Sequence, residues 1–371
     1  MESAKIVIIG AGVVGLAVAA KLSERNESVY VLEKNPKFGQ ETSSHNSGVI
    51  HSGIHYPKDS LKAKLCVKGN TMTYELCEKY RIPYKKLGKL TVAIEEEEID
   101  ELEKLMQQGQ DNGAEDLRFL GKEEVKKLEP NVDIEKALLS PSTGIVEPDE
   151  LMNHFYSQAR KNNAVSATET EVTDLRKVDG GYEISGTSVG EKFTVTAKTV
   201  VNCAGLNSDR IAAMVGLDVD KLGYRLHHCK GDYFRVAGKP PVKMLVYPVP
   251  KGAGLGIHLT PDLGGSVRLG PNAYYVNRIS YEVESTEKEF REDVERFVPL
   301  IRERQIQVDS AGIRPKLQGP KDPFKDFVIR HEADRGLFGL IDLIGIESPG
   351  LTAAPAIAEF VSEIYENEIN R

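Results

Sequence analysis

Ala4–Lys34, AKIVIIGAGVVGLAVAAKLSERNESVYVLEK, is the stretch that decides the fold. An apolar run, Ile6-Val-Ile-Ile9, enters a turn built on Gly10, Gly12 and Gly15. An alanine-rich helical pattern follows, and a second apolar run, Val29–Leu32, ends on Glu33. This order is the β-α-β pattern of a dinucleotide fold. Gly10 permits the tight turn, Gly12 lets a pyrophosphate approach the backbone, and Gly15 lets helix and strand pack closely. The helix start offers unpaired N–H groups and the positive end of its dipole to two phosphates. Glu33 lies 18 residues beyond Gly15, placed to accept from a ribose 2′-hydroxyl. A 2′-phosphate would be repelled there, so the motif implies FAD or NAD and excludes NADP.

The remaining composition bounds the function. At 371 residues the chain exceeds one comfortable core, so two domains are expected. A net charge of −8 argues against nucleic acid as a partner, because phosphate binding needs a basic surface. The four cysteines, Cys66, Cys77, Cys203 and Cys229, form no C-x-x-C pair, which favours reduced thiols and a cytoplasmic setting. The apolar N-terminus belongs to the fold motif and is not read as a signal peptide. No segment approaches the ~20 apolar residues of a membrane span. Peripheral membrane contact is compatible with this composition.

After Glu33 comes Asn35–Tyr56, NPKFGQETSSHNSGVIHSGIHY, the natural lid over a pyrophosphate and a reactive ring. Thr42, Ser43, Ser44 and Asn46 supply short donors, Gly48 and Gly53 allow close backbone approach, and His45, His51 and His55 share the loop. Helices are expected over 61–80, 95–108, 122–128 and 148–160, with a strand-turn-strand at 137–146. Alternating β-branched and polar residues over 164–201 predict a β-meander ending in a buried parallel strand. From 224 to 283 the pattern is again β, with turn signals that include Gly252-Ala-Gly254. Thr286-x-x-Glu289 is a capping box for a helix through about Arg304, and a last strand, 340–344, precedes a helix over 351–369. The expected architecture is α/β plus antiparallel β. A discontinuous Rossmann-type dinucleotide domain (1–81, 148–221 and 309–371) accompanies a substrate domain on a mostly antiparallel sheet (82–147 and 222–308).

These residues resemble the FAD-dependent oxidoreductases of the D-amino-acid oxidase superfamily, most closely the L-2-hydroxyglutarate dehydrogenase/oxidase branch. The resemblance runs the whole length. It rests on Gly10-Ala-Gly-Val-Val-Gly15 with Glu33, on His45-Asn-Ser-Gly-Val-Ile-His-Ser-Gly-Ile-His-Tyr56, and on Ser60-Leu-Lys-Ala-Lys64 with Gly69-Asn70. Further matches are Asn202-Cys-Ala-Gly-Leu-Asn-Ser-Asp209, Leu245-Val-Tyr-Pro-Val-Pro250, Gly270-Pro-Asn272 and Ser348-Pro-Gly-Leu-Thr352. It implies FAD as cofactor, with Gly10, Gly12, Val14, Gly15, Glu33 and Lys34 at its adenosine and pyrophosphate side. Thr42, Ser43, Ser44, His45, Asn46 and Ser47 are implied near the pyrophosphate and flavin. A backbone contact from Val172 to the adenine is implied, with Ala204, Gly205 and Gly312 lining the cofactor. Gly350, Leu351 and Thr352 are implied at the flavin's pyrimidine edge, where the helix start would stabilise negative charge.

The resemblance also implies an arginine, Arg314, that grips the substrate's carboxylate, which a guanidinium can bind bidentately. A histidine can accept a hydroxyl proton as a hydride leaves the same carbon. His51 ranks first for that part and His55 second. No metal is expected, since flavin chemistry needs none. His258 and Tyr247 stand on β-segments that should meet the substrate. Lys230 stands where the branch carries an arginine, and is read as a point charge for a distal carboxylate. The implied activity is oxidation of an L-2-hydroxy acid, L-2-hydroxyglutarate foremost, with oxygen or a quinone as electron acceptor. The alternatives are a glycine or D-amino-acid oxidase, a glycerol-3-phosphate dehydrogenase, or a protein that binds FAD without catalysis.

Overall fold

A computed structural model describes residues 3–250 and 256–371; the Gly252–Gly254 turn signal lies outside them. The chain forms two compact units. The first comprises Met1–Ser44, Pro148–His228 and Arg314–Arg371, and the second His45–Glu147 and Cys229–Ile313. The loop carrying His45, His51 and His55 therefore groups with the second unit.

The first unit is built outward from the strand Ser3–Ile9, which pairs in parallel with both Val29–Leu32 and Glu191–Asn202. Val165–Ala167 extends the sheet on one side and Leu340–Ile344 on the other, again in parallel. Ile6, Ile8, Val200 and Val201 are fully buried. Strands covered on both faces read as unbroken apolar runs for this reason, and each such side chain contributes roughly 1.5–3 kcal/mol. The helix Val13–Leu22 packs against both Pro148–Lys161 and Gly350–Ile364. Its Gly15, Ala17, Ala19 and Ala20 leave room for that approach. The first half of Glu191–Asn202 turns from the parallel sheet into the expected meander, pairing antiparallel with Gly181–Ser188, which pairs with Thr170–Val178. All the parallel strands end at one edge, where Gly10, Glu33 and Cys203 follow their last residues. Open α/β sheets bind ligands at this edge.

In the second unit, strands of a nine-stranded sheet run mostly antiparallel among the described residues. An exception is the parallel pair Lys89–Ala93 and Leu245–Pro248. Strand alternation divides its faces. Leu90, Val92, Val246, Leu259, Val267, Leu269, Phe234 and Val236 enter one apolar core with Phe290, Val294, Phe297 and Ile301. The registers Leu245↔Lys89, Tyr247↔Thr91, Thr260↔Arg268 and Arg235↔Arg268 put a polar stripe on the other face.

Two local expectations change. The helix expected through Arg304 covers only Glu287–Val294, followed by a 3-10 turn over Pro299–Glu303. Val298, at φ −131° and ψ 76°, shows why: a proline ring disfavours the helical conformation of the residue before it. The strand-turn-strand expected at 137–146 is present, with its two strands in different sheets. Lys136–Ser140 joins the large sheet, while Gly144–Val146 pairs with Val49–Ile50 and Tyr84–Lys85. The last helix spans Gly350–Ile364 and continues as a wider π-type turn over Tyr365–Ile369. Among the described residues, no helix is long and apolar enough to cross a membrane.

Candidate active site

The dinucleotide cradle lies at the strand ends of the first unit. Gly10 has φ +102°, and a Cβ there would fall 2.4 Å from the Cys203 carbonyl oxygen. A Cβ on Gly15 would fall 2.0 Å from the Gly10 oxygen, so both positions need glycine for packing. Gly12 caps the helix Val13–Leu22 without any side chain of its own. Ser43 instead accepts from the Val13 N–H at 2.9 Å, and a Cβ on Gly12 would press to 2.9 Å from that same hydroxyl. Val14 is half-buried on the first turn.

Glu33 is buried, and its two carboxylate oxygens accept from Ala11 N–H at 2.8 Å and Asn35 N–H at 2.9 Å. One side chain thus ties the glycine turn to the end of the second strand, and each oxygen keeps a lone pair for a ribose hydroxyl. Lys34 pairs with Glu41 at 2.7 Å. Val172 is buried at a register shift in its strand. Ala204 follows Cys203, and Gly205 at φ +52° has nothing within 4 Å of its Cβ position. Gly350, Leu351 and Thr352 form the first turn of the last helix. Thr42, Ser43 and Ser44 complete the set within this unit.

The second unit organises the histidine loop. Val49–Ile50 fixes its entry as a strand beside Gly144–Val146. The Asn70 amide donates to the carbonyls of His51 (2.8 Å) and Ser142 (3.0 Å). Gln108 donates to the Ile54 carbonyl at 2.8 Å, and Asn112 donates to Gly53 (3.0 Å) and Tyr56 (2.8 Å). Three side-chain amides therefore satisfy the turn's backbone, which has no sheet ladder to do so. At the front of the loop, Arg268 donates to the Asn46 carbonyl at 3.2 Å, and Asp309 holds that arginine at 2.8 Å. His45 stacks on Tyr281, and a Cβ on Gly312 would fall 2.3 Å from the His45 oxygen. Asn46 accepts from the Gly48 N–H, with half-buried Ser47 between them.

Four of the residues named from the sequence meet on the polar face of this sheet. Tyr247 and His258 stack with ring centroids 3.5 Å apart and planes within 8°. His51 and His258 lie close enough to His55 to disfavour its charged form. Lys89, which the sequence reading missed, completes the group. It is fully buried, its Nζ 2.9 Å from His55 Nε2 and 5.2 Å from the Tyr247 ring centre. Burial pushes the Lys89 ammonium down to about 7, with Cys66 opposing the shift slightly. Burial, then Lys89, His51 and His258 in turn, holds His55 well below the ordinary imidazole value. Lys230 stands apart: its buried ammonium is taken up by Glu284 at 2.6 Å and by the Glu282 carbonyl. Arg314 is half-buried on the strand Ile306–Lys316.

The family model for FAD dependent oxidoreductases (DAO) matches residues 5–364. The chain belongs to that family. The mitochondrial L-2-hydroxyglutarate dehydrogenase of Arabidopsis thaliana is 37% identical, with 98% of this chain and 84% of that protein covered. The glycerol 3-phosphate dehydrogenase of Caloramator mitchellensis is 34% identical, with 98% and 74% covered. Among solved structures, the dithionite-reduced, FAD-bound L-alpha-glycerophosphate oxidase from Mycoplasma pneumoniae superposes with a TM-score of 0.82. It is 29% identical, and 99% of this chain and 95% of that one are covered.

FAD is thus the cofactor, and the first unit fits it. The helix start at Gly12 has no side-chain cap of its own, the space over Gly205 is open, and the Glu33 carboxylate is already anchored to the turn. This member of the family is an FAD-dependent oxidoreductase.

Proposed function

We propose that the protein oxidises an L-2-hydroxy acid, with L-2-hydroxyglutarate to 2-oxoglutarate the leading reaction. The observation that carries this reading is the basic group His51, His55, His258 and Lys89 on the polar face of the second unit's sheet. Such a group suits removal of a hydroxyl proton from an anionic substrate. Similarity to the Arabidopsis dehydrogenase over nearly the whole chain supports the same substrate.

In this reading the first unit holds the cofactor. Bound FAD supplies the acceptor for the substrate's hydride. Glu33 accepts from the adenosine ribose, and the start of Gly350–Ile364 would favour negative charge at the flavin's pyrimidine edge. Arg314 binds the substrate carboxylate through two parallel N–H donors. An imidazole nitrogen of His51 takes the hydroxyl proton as the C–H bond breaks, while Asn70 keeps the His51 backbone in place.

Glycerol 3-phosphate is the second reading. It too is an anionic alcohol, and the likeness to the Caloramator enzyme favours it. A dye-linked assay of the purified yellow protein separates the two. Turnover of L-2-hydroxyglutarate at a kcat/KM at least tenfold above that of glycerol 3-phosphate or glycine supports the first reading. The reverse order overturns it.

A further inference from the structure

Lys89 sits in an unusual place for a lysine. Its side chain is fully buried at the start of the strand Lys89–Ala93, and no carboxylate pairs with it among the described residues. An unpaired buried ammonium is costly, so a lysine kept there needs a compensating role. Its polar contact is His55 Nε2 at 2.9 Å, and no other described residue hydrogen-bonds the His55 ring. The titratable groups around the pair come from every packed element. Cys66 faces it from the helix Leu61–Tyr80, His51 from the loop, Tyr247 from the strand Leu245–Pro248, and His258 from just before the strand Leu259–Pro261. None is a carboxylate; Cys66 and the face of the Tyr247 ring favour the Lys89 charge, and no group in this set is an anion paired with His55.

We infer that Lys89 is a positioning residue that shares one proton with His55, so that the His55 ring stays uncharged and turns its Nδ1 to the substrate. The inference rests on the reading of the histidine loop as the substrate's site. When Lys89 carries the proton, its ammonium donates to Nε2, and the ring must hold its own hydrogen on Nδ1, as a donor. When Lys89 is neutral, the Nε2–H donates to Nζ, and Nδ1 becomes an acceptor. A third state with both groups charged places two cations 2.9 Å apart in a buried site. The changeover belongs near pH 7, where burial has brought Lys89. His51 is then left as the independent proton acceptor.

Nitrogen-15 histidine NMR on the FAD-loaded protein tests this, with His55→Gln assigning the resonance and no substrate present. Between about pH 5.5 and 9, wild-type His55 is expected to remain neutral and to exchange its Nδ1–H tautomer for Nε2–H near pH 7. Lys89→Met should abolish the exchange and let the ring titrate as an ordinary imidazolium. Lys89→Arg should lock Nδ1–H over the whole range. An imidazolium at His55 near neutral pH in the wild type overturns the inference, whatever the variants do. So does an unchanged tautomer exchange in Lys89→Met or Lys89→Gln. With L-2-hydroxyglutarate, KM should rise through pH 7 in the wild type and lose that limb in Lys89→Met. A wild-type flavin that L-2-hydroxyglutarate does not reduce overturns the substrate reading alone, because the NMR result needs no substrate.

Discussion

The Asn70 side chain donates one amide hydrogen to the His51 carbonyl at 2.8 Å and the other to Ser142 at 3.0 Å. It joins the histidine loop to the segment between two sheets, and the placement of His51 depends on it. Leucine at position 70 keeps the branched heavy-atom shape and removes both donors. Each carbonyl retains a second partner, Cys66 and Tyr74 respectively, so the loss should stay near 1–2 kcal/mol. Asn70→Leu should therefore lower the melting temperature by a few degrees and keep its FAD. Flavin reduction should slow roughly tenfold or more, read by anaerobic stopped flow.

Glu33 carries two tasks, holding the glycine turn and meeting the ribose. Glu33→Ala leaves the N–H groups of Ala11 and Asn35 without their acceptor. With charged hydrogen bonds worth about 1.5–3 kcal/mol, FAD affinity should fall roughly 10- to 100-fold. Titration of apoprotein with FAD, followed by quenching of flavin fluorescence, reads the change. Unaltered affinity would remove Glu33 from the cofactor site.

Arg314→Lys keeps the charge and loses the fork that binds a carboxylate through two parallel bonds. The expected result is a fall of roughly 10- to 100-fold in kcat/KM for the hydroxy acid, carried mostly by KM, with FAD content unchanged. Loss of FAD with unchanged KM would assign Arg314 to the cofactor instead.

The dinucleotide motif was legible because its parts are local: glycines, helix and acid fall within one short stretch whose spacing encodes the turn. The polar face of the second sheet was not. It depends on Lys89–Ala93 pairing in parallel with Leu245–Pro248, a register set by distant strands. A lysine opening an apolar strand reads as a surface residue, yet pairing on both sides, with Leu245 and Ser140, leaves it buried beside His55. The Lys230 pair was equally out of sight, since its partner, Glu284, arrives from a segment far along the chain. Histidine identity and loop membership were visible in the sequence. The amides of Asn70, Gln108 and Asn112 that hold the loop were not, because side-chain-to-carbonyl bonds leave no periodic trace.

Asp342 gives a pH-dependent prediction. It is fully buried beside Asn202, which donates to one carboxylate oxygen at 2.7 Å, while the other oxygen has no hydrogen-bond partner among the described residues. Burial, with Glu332 adding to it, raises its carboxyl from the ordinary value to about 7. The folded protein therefore keeps a proton that the unfolded chain loses near pH 4. Between those values the native state binds more protons, so stability falls as pH rises. Asp342→Asn should match the wild type near pH 4 and gain on it up to about pH 7, by at most roughly 4 kcal/mol. Melting temperatures of the two proteins across this range check the sign.

Anaerobic reduction of the bound flavin identifies the substrate without any external electron acceptor. L-2-hydroxyglutarate should bleach the flavin absorbance completely in a single phase and leave 2-oxoglutarate in stoichiometric amount, while the D enantiomer and glycine leave the protein yellow. An enzyme that stays yellow with L-2-hydroxyglutarate but is bleached by glycerol 3-phosphate or an amino acid would not be a 2-hydroxy-acid dehydrogenase.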